Sequence, residues 1–276
     1  MKKILLAFDG GNFSAGACEF ARVLNEKNRI LLTGAFLPQV DYANLWSYSG
    51  GGMTGPLYVP LLEDENSEAV QKNINRFESF CQKNDIDYRV HKDFFDFALP
   101  ELKRESRFAD LLLLGSQTFY ENLSSAEPNE YLKEALHGIE CPAIVVPEKF
   151  EFPNSNILTY DGSESAVYAI KQFAYLSPEL TDHKTILIYM KEKGEEEMPE
   201  QVSIEELAAR HFKDLTLLRL QANHKKYFSS WLLENKGAIL ISGAFGRSAF
   251  SRSFRKSFIT DTIREHQLPV FIAHHK

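Results

Sequence analysis

Cysteine is scarce in this chain: Cys18, Cys81 and Cys141 are odd in number, far apart and without a Cys-x-x-Cys pair. That excludes a disulfide framework or a cysteine zinc site and points to a reducing, cytoplasmic setting. Long apolar runs are missing as well. The stretch around Leu111-Leu112-Leu113-Leu114 falls far short of the roughly 18 to 20 residues of a membrane helix. Met1-Lys2-Lys3-Ile4-Leu5-Leu6-Ala7-Phe8 begins like a signal peptide, but Asp9 and two glycines cut its apolar part short, so it reads as a first strand. There is no surplus of positive charge. With 31 basic and 38 acidic residues the formal net charge is −7, a poor basis for displacing counterions from DNA or RNA. Neither a nucleic-acid nor a membrane partner is expected. The Gly-x-Ser-x-Gly hydrolase elbow is absent, and none of the eight histidines forms a His-x-x-x-His pair. His274 and His275 are adjacent, so on a strand they point to opposite faces, and no metal site is expected.

What remains is an ordinary folded composition, 44% hydrophobic and 25% charged over 276 residues, with length for two domains at about 150 residues each. The chain also repeats itself. Ile4-Leu5-Leu6-Ala7-Phe8-Asp9-Gly10 is echoed by Ile157-Leu158-Thr159-Tyr160-Asp161-Gly162, and each precedes a helical pattern, Phe13 to Leu24 and Ala166 to Leu176. Later in each half a buried strand runs into glycine, Leu111 to Gly115 and Ala238 to Gly243. Last come Pro142-Ala143-Ile144-Val145-Val146 and Pro269-Val270-Phe271-Ile272-Ala273. Three anchors in one order imply a duplicated domain, residues 1–150 and 151–276.

Short apolar runs alternate with amphipathic stretches, as in βα units covered on both faces. The first half predicts strands at Lys3 to Phe8, Ile30 to Phe36, Tyr88 to His91, Leu111 to Gly115 and Ala143 to Val146. The second predicts Asn156 to Tyr160, Thr185 to Tyr189, Asp214 to Leu220, Ala238 to Ser242 and Val270 to Ala273. The fold class is therefore α/β: two tandem doubly wound domains, each a five-stranded parallel sheet with about four helices. Pro38 to Pro60, with Tyr42, Trp46, Tyr48, three glycines and Tyr58, is an insertion too long for an ordinary connection. A packed surface loop is one reading, and a lid or interaction loop the other. Glu195-Glu196-Glu197 reads as a solvated charge run.

These features, a strand ending in Asp161-Gly162-Ser163 and a late strand entering Gly243-Ala244-Phe245-Gly246-Arg247-Ser248, resemble the universal stress protein family in its tandem form. The resemblance implies a stress-response role and two domains pairing as a pseudo-dimer. In nucleotide-binding members it implies a phosphate motif Gly-x2-Gly-x9-Gly-Ser/Thr beside the aspartate that ends the first strand.

Open α/β sheets take ligands at the carboxyl ends of their strands. Glycines there let backbone N–H groups approach phosphate, and a helix N-terminus adds partial positive charge. The second half supplies Asp161, Gly162, Ser163, Gly243, Gly246, Arg247, Ser248, Lys256 and Ser257 as nucleotide-binding candidates. Asp161 is expected to position ribose, phosphate or magnesium; the Gly243 and Gly246 amides to cradle phosphates; Arg247, Ser248 and Ser257 to contact phosphate oxygens. Lys256 stands where the motif has its third glycine, so its side chain either intrudes on the loop or replaces a backbone contact with its ammonium. In the first half Thr118, Phe119 and Tyr120 replace the glycine cradle, Glu121, Glu127, Glu130 and Glu134 repel phosphate, and the half is expected to be structural. The charge divides accordingly: 15 basic and 22 acidic residues through Phe150, 16 and 16 after it.

Two functions follow. One is a sensor that binds ATP or another adenine nucleotide, with magnesium, in its second domain. The other is a nucleotide-free scaffold, a pseudo-dimer or homo-oligomer whose surfaces and aromatic insertion meet protein partners. No catalytic residue is assigned, and at most a weak ATPase is expected.

Overall fold

Leu111 to Leu114 has no polar alternation, and such a run suits a strand covered on both faces. A computed structural model places it there, every residue of Leu111–Gly115 being buried. The structure describes residues 1–9, 11–37, 63–92, 98–119, 130–191, 198–221, 237–243, 262–263 and 268–274. The Pro38 to Pro60 insertion and the Glu195 to Glu197 run lie outside the described residues, as do Glu121 and Glu127.

The elements follow in chain order β1 (Lys2–Phe8), α1 (Ala15–Lys27), β2 (Ile30–Phe36), α2 (Glu63–Lys83), β3 (Asp87–His91), α3 (Ala98–Ser106), β4 (Leu111–Gly115), α4 (Glu130–Gly138) and β5 (Ala143–Val146). Then come β6 (Ser155–Tyr160), α5 (Glu164–Leu176), a single 3-10 turn at Pro178–Leu180, β7 (Lys184–Lys191), α6 (Gln201–His211), β8 (Asp214–Gln221), β9 (Ala238–Gly243) and β10 (Val270–Ala273). The predicted strands are all present. The strand β7 is longer than its apolar centre because Lys184 and Lys191 keep pairing with Asp214 and Gln221 of β8.

One ten-stranded sheet results, in the order β3-β2-β1-β4-β5-β10-β9-β6-β7-β8. The order 3-2-1-4-5 on one side is matched by 8-7-6-9-10 on the other. Every neighbouring pair is parallel except β5 with β10, where Phe271 lies antiparallel to Ile144. Each half is thus a five-stranded parallel sheet, as expected, and the two join into one mixed sheet through β5 and β10, which would otherwise be edge strands with unpaired backbone groups.

Alternate residues of each strand feed two cores. On one face Ile4, Leu6 and Phe8 of β1, and Leu158 and Tyr160 of β6, pack with Phe20, Phe77, Phe173 and Phe212. On the other, Leu112, Leu114, Val145, Leu240 and Ile272 pack with Leu102, Leu132 and Leu136. Both cores cross the β5–β10 junction. The segment after β5 is held as well, for Phe150 and Phe152 lie 5.6 and 5.1 Å from the Phe20 ring. At the opposite end Lys2 Nζ donates to the Leu176 carbonyl, at the C-terminus of α5, and stands 3.8 Å from Glu179.

Candidate functional site

At the end of β6 the chain must reverse into α5 within three residues. Asp161 makes this turn: its Oδ1 accepts from the Ser163 backbone N–H at 3.1 Å and from Ser163 Oγ at 2.7 Å. Gly162 takes φ +78°, a left-handed angle that glycine adopts without a Cβ penalty. Ser163 then caps α5, its Oγ accepting from Ala166 N–H at 3.1 Å. The result is a helix N-terminus opening beside the carboxyl ends of the strands.

Gly243, which ends β9, is pressed onto that same helix turn. A Cβ there would lie 2.4 Å from Ser165 C, 2.5 Å from Ala166 N and 2.6 Å from Ser165 O. The structure therefore brings together Asp161, Gly162, Ser163 and Gly243. It also supplies a physical reason for Gly243 that needs no ligand, the close approach of strand and helix. Gly246, Arg247, Ser248, Lys256 and Ser257 lie outside the described residues.

Sequence reasoning missed the wall of this turn. Pro199 lies against Gly162, where an added Cβ would meet Pro199 Cβ at 2.8 Å. The Tyr160 hydroxyl donates to the Pro199 carbonyl at 3.0 Å. Burial, and then the Glu200 carboxylate, raise the Tyr160 phenol above its ordinary value. Pro199 carries no mark in the sequence beyond its proximity to a charged run, since the contact spans some forty residues.

The first half repeats the turn with a different occupant. Asp9 Oδ1 accepts from the backbone of Gly11 at 3.0 Å and of Asn12 at 2.6 Å, while Oδ2 accepts from Asn12 Nδ2 at 2.7 Å. Ser14 caps α1 through Ala17 N–H at 3.1 Å. Gly115 again meets the cap, with Ser14 Oγ 2.7 Å from where its Cβ would stand. Here, however, Glu148 reaches over the helix end: its Oε1 accepts from Ser14 Oγ at 2.5 Å and its Oε2 from Gly16 N–H at 3.1 Å. An internal carboxylate thus stands where the α1 dipole favours an anion. Gly16 permits it, since a Cβ would fall 2.2 Å from the Pro147 carbonyl oxygen. A glutamate just past a strand ending in proline gave no sequence signal for this role.

Among the described residues no group of three or more His, Cys, Asp or Glu side chains could hold a metal ion. Again among the described residues, no helix is long and apolar enough to cross a membrane.

A doubly wound α/β sheet with paired strand-to-helix turns is a nucleotide-binding type of architecture. Along nearly its whole length the chain has the fold of the universal stress proteins. It superimposes on one from Archaeoglobus fulgidus DSM 4304 with a TM-score of 0.70 at 16% identity, covering 99% of this chain and 96% of that one. A functionally unknown protein from Pseudomonas aeruginosa PAO1 gives a TM-score of 0.56 at 10% identity, covering 99% of this chain and 92% of that one. At such identities the likeness is one of fold. No protein-family model and no curated protein matches the sequence.

Proposed function

We propose that the chain is a tandem universal stress protein, with domains at 1–150 and 151–276, whose second domain binds an adenine nucleotide and serves as a stress-linked sensor. The observation that carries this reading is the contrast between the two helix ends. The α1 terminus is taken by the Glu148 carboxylate, whereas the α5 terminus is framed by Asp161, Gly162 and Ser163 beneath Gly243. ATP with magnesium is the nucleotide proposed, its phosphates meeting the backbone between Gly243 and Gly246 and the side chains of Arg247, Ser248, Lys256 and Ser257. The universal stress protein fold supports the reading at the level of architecture.

Calorimetric titration with ATP, ADP and AMP in the presence of magnesium, repeated on Gly246→Val, tests it. One site per chain, lost in the variant, is the expected result. No binding at millimolar nucleotide removes the sensor, and unchanged binding in the variant removes the site. A nucleotide-free scaffold is the second reading, favoured by one observation: packing against Ser165 and Ala166 already requires glycine at position 243.

A further inference from the structure

The strand β3 forms one outer edge of the sheet, and among the described residues it pairs only with β2. An open cleft of about 470 Å³ runs beside it, lined by Glu78, Ile86, Asp87, Tyr88, Arg89 and Val90. Tyr88 and Val90 pack on the core of one face, so strand alternation turns Asp87 and Arg89 to the other. Both are exposed. Arg29, whose guanidinium also feels Asp87, is engaged by Asp85 at 2.5 Å. An edge strand is a template for another strand unless proline, a bulge or an unmatched charge blocks it; here the Tyr88 carbonyl accepts from the Arg89 guanidinium at 2.8 Å, a contact that pairing with a second strand would exchange for an interchain one. Residues 86 to 90 contain no proline, and their charges match their own reverse: apolar, acid, tyrosine, base, apolar.

We propose that β3 pairs antiparallel with β3 of a second copy about a two-fold axis through Tyr88, so that the sheet continues from one chain into the next. A two-fold axis normal to a sheet requires directly opposite residues to share a face. Centred on Tyr88, that condition sets Asp87 against Arg89 of the second copy, Arg89 against its Asp87, and Ile86 against Val90. Each opposite-charge pair is a favourable cross-strand contact and occurs twice. The register is specified by the same charges. One step to either side places Asp87 against Asp87 or Arg89 against Arg89, which is destabilising. The other edge, β8, has no such solution, since its Asp214 and Arg219 fall on opposite faces and no two-fold register opposes them.

Because the paired stretch is short, the dimer is weak and concentration-dependent. Sedimentation velocity on the full chain, from micromolar to submillimolar concentration at low salt, reads it directly. Wild type is expected to dimerise, with Asp87→Arg and Arg89→Asp each weakening the dimer about tenfold or more by turning two attractions into two repulsions. The double variant restores opposite charges in the same register and is expected to dimerise as wild type does, with circular dichroism confirming that all four chains are folded. A wild type that stays monomeric throughout overturns the proposal. So does a dimer indifferent to either single swap, or a folded double variant that remains monomeric.

Discussion

Replacing Gly243 with alanine adds one methyl group where the helix backbone already stands. The three nearest atoms, Ser165 C at 2.4 Å, Ala166 N at 2.5 Å and Ser165 O at 2.6 Å, are main chain, so no side chain can rotate away. Either β9 or the first turn of α5 must move, and overpacking of this kind costs about 1–3 kcal/mol. Unfolding entropy near 60 °C is about 2.1 cal/mol/K per residue, so this chain loses about 1.7 °C of melting temperature per kcal/mol. The expected shift is therefore about 2–5 °C downward, measured by thermal circular dichroism. Gly138→Ala is the control, because nothing lies within 4 Å of its added Cβ. The proposed site shares the displaced turn, so nucleotide affinity is expected to fall with stability. A Gly243→Ala protein that melts no lower than Gly138→Ala would refute the claim that close backbone approach dictates glycine there.

Gly162→Ala places a side chain at φ +78° and 2.8 Å from Pro199 Cβ; a loss of about 1–2 kcal/mol is expected from urea unfolding, and none would mean the turn relaxes freely. Glu148→Ala removes the carboxylate that binds Ser14 and Gly16 at the α1 terminus. It should destabilise by about 1–3 kcal/mol, with Glu148→Gln recovering part of the loss because an amide oxygen still accepts the Gly16 N–H. Equal stability of all three proteins in denaturant titration contradicts this. Burial holds the Cys81 thiol from its ordinary 9.0 up to about 12, and burial followed by Cys81 raises Cys18. Thiol titration with a disulfide reagent should modify the less buried Cys141 first, with Cys18 and Cys81 reacting only on unfolding. The folded state keeps the Cys81 proton where the unfolded chain releases it. Its contribution to stability is therefore complete below about pH 9 and declines as pH rises toward 12. A flat stability profile across that window would count against it.

Much of the architecture is local and so was legible in the chain. Leu111 to Leu114 and Ala143 to Val146 cannot alternate in and out, so they announce strands covered on both sides. The caps of α1 and α5 are local too, since the Ser14 and Ser163 hydroxyls accept from the Ala17 and Ala166 N–H groups only three residues on. In the Asp161-Gly162-Ser163 turn the hydrogen bonds from Ser163 to Asp161 Oδ1 likewise span only two residues.

The contacts that distinguish the two helix ends span far greater separations. Glu148 reaches Ser14 and Gly16 across more than a hundred residues, and Pro199 meets Tyr160 and Gly162 only once β6 and the start of α6 are folded together. The antiparallel junction of Ile144 with Phe271 joins the chain's middle to its end. Periodicity, capping and turn chemistry act within a few residues, so the sequence by itself determined the strands, the helix starts and the repeated order. Which carboxylate fills which helix end, which glycine is squeezed, and which strands are left at the edge depend on distant segments meeting. Those the tertiary structure alone decided.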